Sequence, residues 1–313
     1  MVLARLALRV AERVSGSVAW RSLLLGFVWA FVANSRRVRG DLPGAEQAFR
    51  RSDRLWAAGA DANTGLLDGS RLLDLRASLL TYQGRLVEAL SFLDQALEAS
   101  LTQEARGRIL IKKAIALRLK GDYEQAIDAL HLAETLQIQN PRFPWLLGFN
   151  FTTALWHLGK FQEAEQLLPG VRRLAVESGN DLDLFRVLWL AGRLAAGMGR
   201  RAQALEALEQ VQGYFAVNRI AFDAALASME VAVLQLEEGR TAEVKRLAEE
   251  MYWIFKSQEV TEEVLEALRL FCEAAKQEEA TAELARRVVE YLQKACHQPH
   301  LRFEDFAPES GKT

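Results

Sequence analysis

A glycine followed five residues later by a small residue recurs six times along this chain of 313 residues. The intervals between successive glycines are 44, 37, 38, 40 and 40 residues. A period in this range is typical of repeat architectures, in which each unit buries its apolar face only by stacking on its neighbours. The six pairs are Gly40–Ala45, Gly84–Ala89, Gly121–Ala126, Gly159–Ala164, Gly199–Ala204 and, with valine in place of alanine, Gly239–Val244.

Each repeat predicts two helices joined by a sharp turn, as in the stretch Lys112–Ala133 with its turn at Gly121. A glycine after the last helical turn supplies the left-handed backbone conformation at low steric cost. Aspartate or a short polar residue then helps the next helix to begin. A small residue or threonine seven positions before each glycine faces the small residue five positions after it, so that the two backbones approach closely. These earlier residues are Ala33, Ala77, Ala114, Thr152, Gly192 and Ala232.

Together with the apolar residue two positions after the glycine (Leu42, Leu86, Tyr123 and Phe161), these positions resemble the tetratricopeptide repeat. The resemblance covers roughly Val18–Lys256. Its period exceeds the usual length of about 34 residues and is similar to a longer-repeat branch found in bacterial signalling and transcription-regulator sensor arms. The resemblance implies an all-α fold, a right-handed superhelical α-solenoid of about six to seven antiparallel helix pairs.

We predict a single solenoid over residues 1–296, followed by a loose tail at 297–313. The capping pair lacks the turn glycine, and its glutamate-rich surface suits the polar outer face that a terminal repeat needs. The predicted parts of the solenoid are an N-terminal cap helix (1–16), six helix pairs (17–257) and a C-terminal capping helix pair (258–296).

Two segments interrupt the regular pattern. Gly59–Gly69 is predicted to be a loop, and it accounts for the longest interval between glycines. Pro169 and Gly170 mark a candidate break in the second helix of the fourth pair, because proline removes a helical hydrogen bond.

Charge is balanced overall but unevenly placed. The formal net charge is −2, so the protein as a whole is not attracted electrostatically to nucleic acid or membrane. Residues 1–60 carry ten arginines and four acidic residues, whereas residues 237–290 carry eight basic residues and fourteen glutamates. Solvated helix faces are the simpler interpretation, and head-to-tail self-association is the alternative. No helix presents the basic face of a DNA-recognition helix, so direct nucleic-acid binding is not predicted.

The uncharged run Ser22–Ser35 has 14 residues, fewer than the roughly 20 residues of a membrane span. We predict a buried helix here and no membrane partner, with a membrane anchor as the alternative. The two cysteines, Cys272 and Cys296, form neither a CxxC pair nor a secreted-type framework. They indicate a reducing, cytoplasmic setting.

No motif for catalysis is present: the sequence lacks a phosphate-binding glycine loop, G-x-S-x-G and H-E-x-x-H. Cys296, His297 and His300 are ligand types for a soft metal, but a structural zinc site takes four ligands and no fourth is nearby. The sequence therefore predicts a protein that is not an enzyme and has neither metal nor cofactor.

The resemblance further implies that the first helix of each pair lines a concave groove. The middle of this stripe is basic and aromatic, which suits an extended acidic peptide or the C-terminus of a polypeptide through arginine–carboxylate bonds and stacking. The alternative is that the cations are solvated or pair with acidic residues across helices. The groove residues expected by position are Asn34, Arg37, Arg71, Asp74, Arg108, Lys112, Asn150, Thr153, Trp156, Arg186, Trp189 and Arg193.

The predicted function is a non-enzymatic intracellular adaptor or scaffold that binds a protein or peptide segment in this groove. Two alternatives stay open. One is a sensor or interaction arm of a bacterial signalling or transcription-regulatory system, and the other is an accessory subunit of a larger effector complex.

Overall fold

The computed structural model describes residues 2–257, 260–296, 298 and 301–304, apart from the side chains of residues 2 and 5. These residues form fifteen α-helices and two short 3-10 helices, with no β-strand among them. The polypeptide divides into two compact units, residues 1–150 and 151–313. The prediction of an all-α protein built from consecutive helices is confirmed.

The helix bounds agree closely with those expected from the turn glycines. The first unit contains α1 (Val2–Arg13), α2 (Val18–Val38), α3 (Leu42–Gly59), α4 (Ser70–Tyr82), α5 (Leu86–Glu98), α6 (Gln103–Lys120) and α7 (Tyr123–Glu134), with a 3-10 helix at Ala60–Ala62. Helix α8 (Phe143–His157) contains the boundary between the units. The second unit continues with α9 (Phe161–Glu177), α10 (Asp181–Gly197), α11 (Arg201–Val217), α12 (Ala221–Glu237), α13 (Thr241–Glu250), a 3-10 helix at Met251–Lys256, α14 (Glu262–Lys276) and α15 (Ala282–Ala295).

Within each unit the helices pack in sequence order as antiparallel pairs. In the first unit α2 packs on α3, α4 on α5 and α6 on α7, and the first helices α2, α4 and α6 also contact one another in sequence. In the second unit each helix from α9 to α13 packs on the next. This consecutive packing is the arrangement of a helical-repeat fold.

The six repeat glycines all adopt the predicted left-handed conformation, with φ between 71° and 94°. At each turn the residue after the glycine donates its backbone N–H to the carbonyl five positions earlier; Asp122, for example, donates to the Leu117 oxygen at 2.9 Å. This Schellman-type bond satisfies a carbonyl at the helix end and reverses the polypeptide.

The small-residue positions are the points of closest helix contact. Ala33, Ala77, Thr152 and Ala232 are fully buried, as are the alanines five residues after the first, second, fourth and fifth glycines. In the first pair, a Cβ added at Gly26 would lie 2.6 Å from the Trp56 backbone nitrogen. The inference that small residues let paired backbones approach is therefore confirmed.

Two local predictions were wrong, and a third holds at one turn but not at another. Helix α9 runs through Pro169 without a break. The second helix of the sixth pair ends at Glu250 and continues as a 3-10 helix rather than as α-helix to Ser257. Aspartate follows two of the six repeat glycines and was expected to help the next helix begin. The Asp41 side chain caps α3 by accepting from the Gly44 N–H, whereas the Asp122 side chain makes no capping bond to α7.

Helix α2 is long and apolar enough to cross a membrane by length and composition, with a mean hydropathy of 1.3 in its most apolar stretch. In the first unit it packs against α1, α3 and α4. Only 28% of that stretch is buried, so the prediction of a buried helix holds for one face of α2, which includes Leu23, Ala30 and Ala33, and not for the rest.

The last helix pair departs from the repeat pattern. Glu278 takes the left-handed conformation that glycine takes in the other turns, with φ 60°. Helix α14 packs on α13, while α15 packs on α12, the first helix of the sixth pair. As a result α15 lies against the first helix of the sixth pair, where it can bound a cavity.

Candidate functional site

The predicted groove residues fall into separate clusters within each unit. At the start of the first unit, the Asn34 amide oxygen accepts hydrogen bonds from Arg37 Nε at 3.1 Å and Nη2 at 3.0 Å. Burial lowers the pKa of Arg37, and the neighbouring Tyr82 opposes this shift. This pair is tied together on one helix, and the neutral amide holds the Arg37 guanidinium in place without cancelling its charge.

Four of the predicted residues meet around one carboxylate, that of Asp74, which is fully buried. Arg71 donates to both of its oxygens at 3.0 and 3.1 Å. Arg108 Nε donates to Oδ2 at 2.6 Å, and Lys112 Nζ donates to Oδ1 at 2.9 Å. Lys112 also donates to the Ser78 hydroxyl. Because Asp74 lies on α4 and its two longer-range partners lie on α6, this cluster joins adjacent repeats.

The electrostatics of the cluster follow from burial and crowding. Burial alone would raise the pKa of Asp74, but Lys112, Arg71 and Arg108 together outweigh it and hold that pKa below its usual value. Burial lowers the pKa of Lys112 to about 8, an effect that Asp74 opposes and that Arg71 and Arg108 reinforce. The cations that were expected to meet an acidic partner are thus already paired with an internal carboxylate.

In the second unit, Arg193 lies between two tryptophan rings. Its guanidinium carbon is 4.4 Å from the Trp189 ring centroid and 5.4 Å from that of Trp156. Glu230 on α12 fixes this arrangement, since it accepts from Arg193 Nη2 at 2.6 Å and from the Trp189 indole N–H at 2.5 Å. Side-chain exposure is only 21% for Arg193 and 11% for Glu230, so water screens the pair weakly.

A cavity of about 460 Å³, which we name the unit-two cavity, opens beside this network. It is bounded by the first helices α8, α10 and α12, by α9 and α11, and by one face of α15. Its surface is mostly apolar with a few charged groups, as is typical of ligand pockets. The lining residues are Trp156, His157, Phe161, Arg193, Ala196, Gly197, Leu208, Glu230, Val233, Leu234, Arg286, Val289, Glu290 and Gln293.

The remaining predicted residues do not join these clusters. Asn150 is buried and donates its amide to the Leu146 carbonyl at 2.7 Å, which is a bond within its own helix. Thr153 is also buried. Arg186 on α10 is half-buried and makes no hydrogen bond or ion pair with any residue that the structure describes.

Sequence reasoning missed Glu230, although a signal for it exists. Glu230 stands nine residues before its turn glycine, the same position that Lys112 and Asn150 hold in their repeats. Extending the groove stripe into the sixth pair would have found it. The contribution of α15 had no such signal, because its packing on α12 breaks the repeat pattern.

The metal-ligand candidates at the C-terminus are not tested, since His297 and His300 lie outside the described residues. Among the residues that are described, no group of three or more histidine, cysteine or acidic side chains could hold a metal ion.

No protein-family model and no curated protein matches this sequence. Its structure is similar to that of a Rap protein complexed with competence and sporulation factor. The TM-score is 0.60 at 14% sequence identity, over 94% of this protein and 92% of that one. At this identity the likeness shows the fold, which is a tetratricopeptide-like helical repeat.

Proposed function

We propose that this protein is a non-enzymatic adaptor or regulatory protein that binds a peptide or protein segment in the unit-two cavity. The observation that carries the proposal is the cavity itself. First helices of successive repeats and α15 enclose an apolar space with a few fixed polar groups, and such a space suits an apolar side chain whose backbone reaches polar groups at the rim.

The charged groups Glu230 and Arg193 are already bonded to neighbouring side chains, which supports a binding role rather than a catalytic one. Glu230 bonds to Arg193 and Trp189, and Arg193 is in addition stacked on two rings. A general acid or base must be able to reach a reacting proton. Groups held in this way instead give the cavity a fixed shape, which lowers the entropic cost of binding.

The structural neighbour supports a regulatory version of the proposal. That Rap protein was solved in complex with competence and sporulation factor, and it shares this fold over nearly its whole length. A sensor or interaction arm of a signalling system that responds to a bound factor is therefore the form of the function that we favour. Cys272 and Cys296 form no disulfide among the residues that the structure describes, which supports a reducing, cytoplasmic setting.

The chemistry of the partner follows from two points on α10. Arg186 lies seven residues before Arg193, so both stand on one helix face about 10 Å apart along the axis. An extended peptide covers that distance in about three residues. We therefore expect a ligand with an apolar anchor side chain in the cavity and an acidic residue about three positions away, opposite Arg186.

The test is a selection of random peptides on the purified full-length protein, followed by dissociation constants for the selected sequences. Val289→Trp should abolish binding, because Val289 is a half-buried cavity residue and the indole ring would take part of the space that the anchor side chain needs. Arg186→Glu should weaken acidic peptides by about tenfold, the loss of one charge-assisted contact.

Arg173→Glu is the matched control, since Arg173 lies on α9 with a side chain that is 75% exposed. It should leave affinity within twofold of wild type. Selected peptides whose binding is unaffected by Val289→Trp, or equally reduced by Arg173→Glu, would contradict the placement of the site.

A further inference from the structure

A second cavity lies in the first unit, between α6, the segment after α7 and the start of α8. Its volume is about 250 Å³, roughly the space of eight water molecules in the liquid. Apolar side chains form most of its wall, and its charged groups come from a single stripe of α6. The apolar residues are Ile111, Ile138, Phe143 and Leu146, and the polar ones are Glu104, Arg108, Lys112 and Asn140.

Arg108 is the cavity residue with unused hydrogen-bonding capacity. Its Nε donates to Asp74, and its Nη2 is buried at 3.8 Å from the Asp68 carboxylate, within ion-pair distance. No described residue accepts a hydrogen bond from its Nη1. Because 33% of the Arg108 side chain is exposed, Nη1 can donate a charge-assisted hydrogen bond to a ligand carboxylate.

The surrounding charge also favours an anion. Three cations, Arg71, Arg108 and Lys112, stand around the two carboxylates of Asp74 and Asp68, which leaves a local excess of one positive charge. Lys112 itself is saturated, because its ammonium already donates to Asp74 and to Ser78. Arg108 is therefore the cation of this cluster that can donate a hydrogen bond to an anionic ligand.

Glu104 does not cancel this attraction at the cavity interior. It is exposed, and its carboxylate accepts from the Gln139 backbone N–H at 2.9 Å. That bond holds the segment after α7 against α6 and so forms one wall of the cavity. Arg108 follows one helical turn later, on the same face.

We propose that this cavity binds the end of a ligand in which an apolar side chain is joined to a carboxylate, with the carboxylate on Arg108. A leucine-sized group with its carboxylate has about eight or nine heavy atoms, roughly the number that a space of this volume holds. The proposal does not depend on the function proposed for the unit-two cavity. Two sources share this chemistry: the C-terminal residue of a peptide and a free branched carboxylic acid.

A pH dependence follows from the neighbourhood of Lys112. It is faced by Asp74, Arg71 and Ser78 from α4 and by Arg108 on its own helix. Burial and the two arginines lower its pKa to about 8. A bound carboxylate favours the charged ammonium, so affinity should fall as the pH rises through about 8.

Ligand-observed NMR on the full-length protein tests the proposal, with 4-methylpentanoate, N-acetyl-Gly-Leu and the amides of both as probes. We expect at least one acid to bind in the millimolar range and its amide to bind at least about tenfold more weakly. Binding by N-acetyl-Gly-Leu alone would identify a peptide C-terminus, and binding by 4-methylpentanoate alone a free acid. Amides that bind as well as the acids, or no binding of either acid at about 10 mM, would overturn the proposal.

Two variants locate the binding. Arg108→Gln should abolish the preference for acids, whereas Arg106→Gln, an exposed arginine on the same helix, should keep it. Because Arg108 also bonds to Asp74, Ile138→Trp gives a second readout that leaves the charge cluster intact. It should block the cavity and reduce binding at least about tenfold, and wild-type binding by this folded variant would refute the site.

Discussion

Replacement of Asp74 by asparagine should loosen the contact between the second and third repeats. The side chain keeps its size but loses its charge, while Arg71, Arg108 and Lys112 stay at 2.6 to 3.0 Å from its position. Breaking a buried ion pair by removing one partner costs about 3–5 kcal/mol. Because 26% to 33% of each cation's side chain is exposed, water screens part of this cost, and we expect about 3 kcal/mol.

Hydrogen exchange followed by mass spectrometry measures this change locally, which matters in a protein of two units that need not unfold together. A loss of about 3 kcal/mol corresponds to exchange about 100-fold faster in α4 and α6. Exchange in α10 to α12 should not change, because repeats transmit stability mainly to their neighbours.

The matched control is Asp94→Asn. The exposed Asp94 carboxylate on α5 pairs at 2.6 Å with Lys113, which lies on α6 as Arg108 and Lys112 do. Exposed pairs contribute less than about 1 kcal/mol. If Asp74→Asn changes exchange in α4 and α6 by no more than this control does, the buried carboxylate does not hold the two repeats together.

Three further predictions concern stability. The pKa of Lys112 is lowered from 10.5 to about 8, so between these pH values the unfolded state binds a proton that the folded state has released. The free energy of unfolding of the first unit should therefore rise with pH across this window. Lys112→Met should remove this pH dependence. Gly26→Ala places a Cβ 2.6 Å from the Trp56 backbone and should cost about 2–3 kcal/mol in urea unfolding, whereas Gly170→Ala, with open space around it, should be neutral or stabilising. Glu278→Gly should stabilise the α14–α15 turn by about 1 kcal/mol in thermal unfolding, since it relieves a left-handed non-glycine residue, and a lower midpoint would contradict this.

The repeat architecture could be predicted from the sequence because its signals are local. The glycine turns, the small residues at each crossing and the apolar stripes lie within one repeat, and each alone specifies a helix bound or a contact. Helices α2 and α6, for example, end within two residues of their turn glycines, Gly40 and Gly121. The proline in α9 misled because a single proline inside an otherwise well-packed helix costs less than the packing it would disrupt.

The candidate sites were predicted only in part, because they depend on how neighbouring repeats are aligned. Position in the repeat selected Asp74, Arg108 and Lys112 as groove residues, but their bonding to one another depends on the stagger between α4 and α6. The irregular repeat lengths hide that stagger in the sequence. The Arg193 network needed Glu230 from the next repeat, and the unit-two cavity needed α15, whose place on α12 no periodic pattern indicates.

A peptide bound in the unit-two cavity must contact the first helices α10 and α12 and also α15, because these three helices supply most of the cavity wall. Hydrogen exchange of the full-length protein, with and without a peptide selected on it, measures these contacts helix by helix. We expect slower exchange in α10, α12 and α15 on binding. Protection confined to α13 and α14, with no change in α10, α12 or α15, would contradict the proposed site.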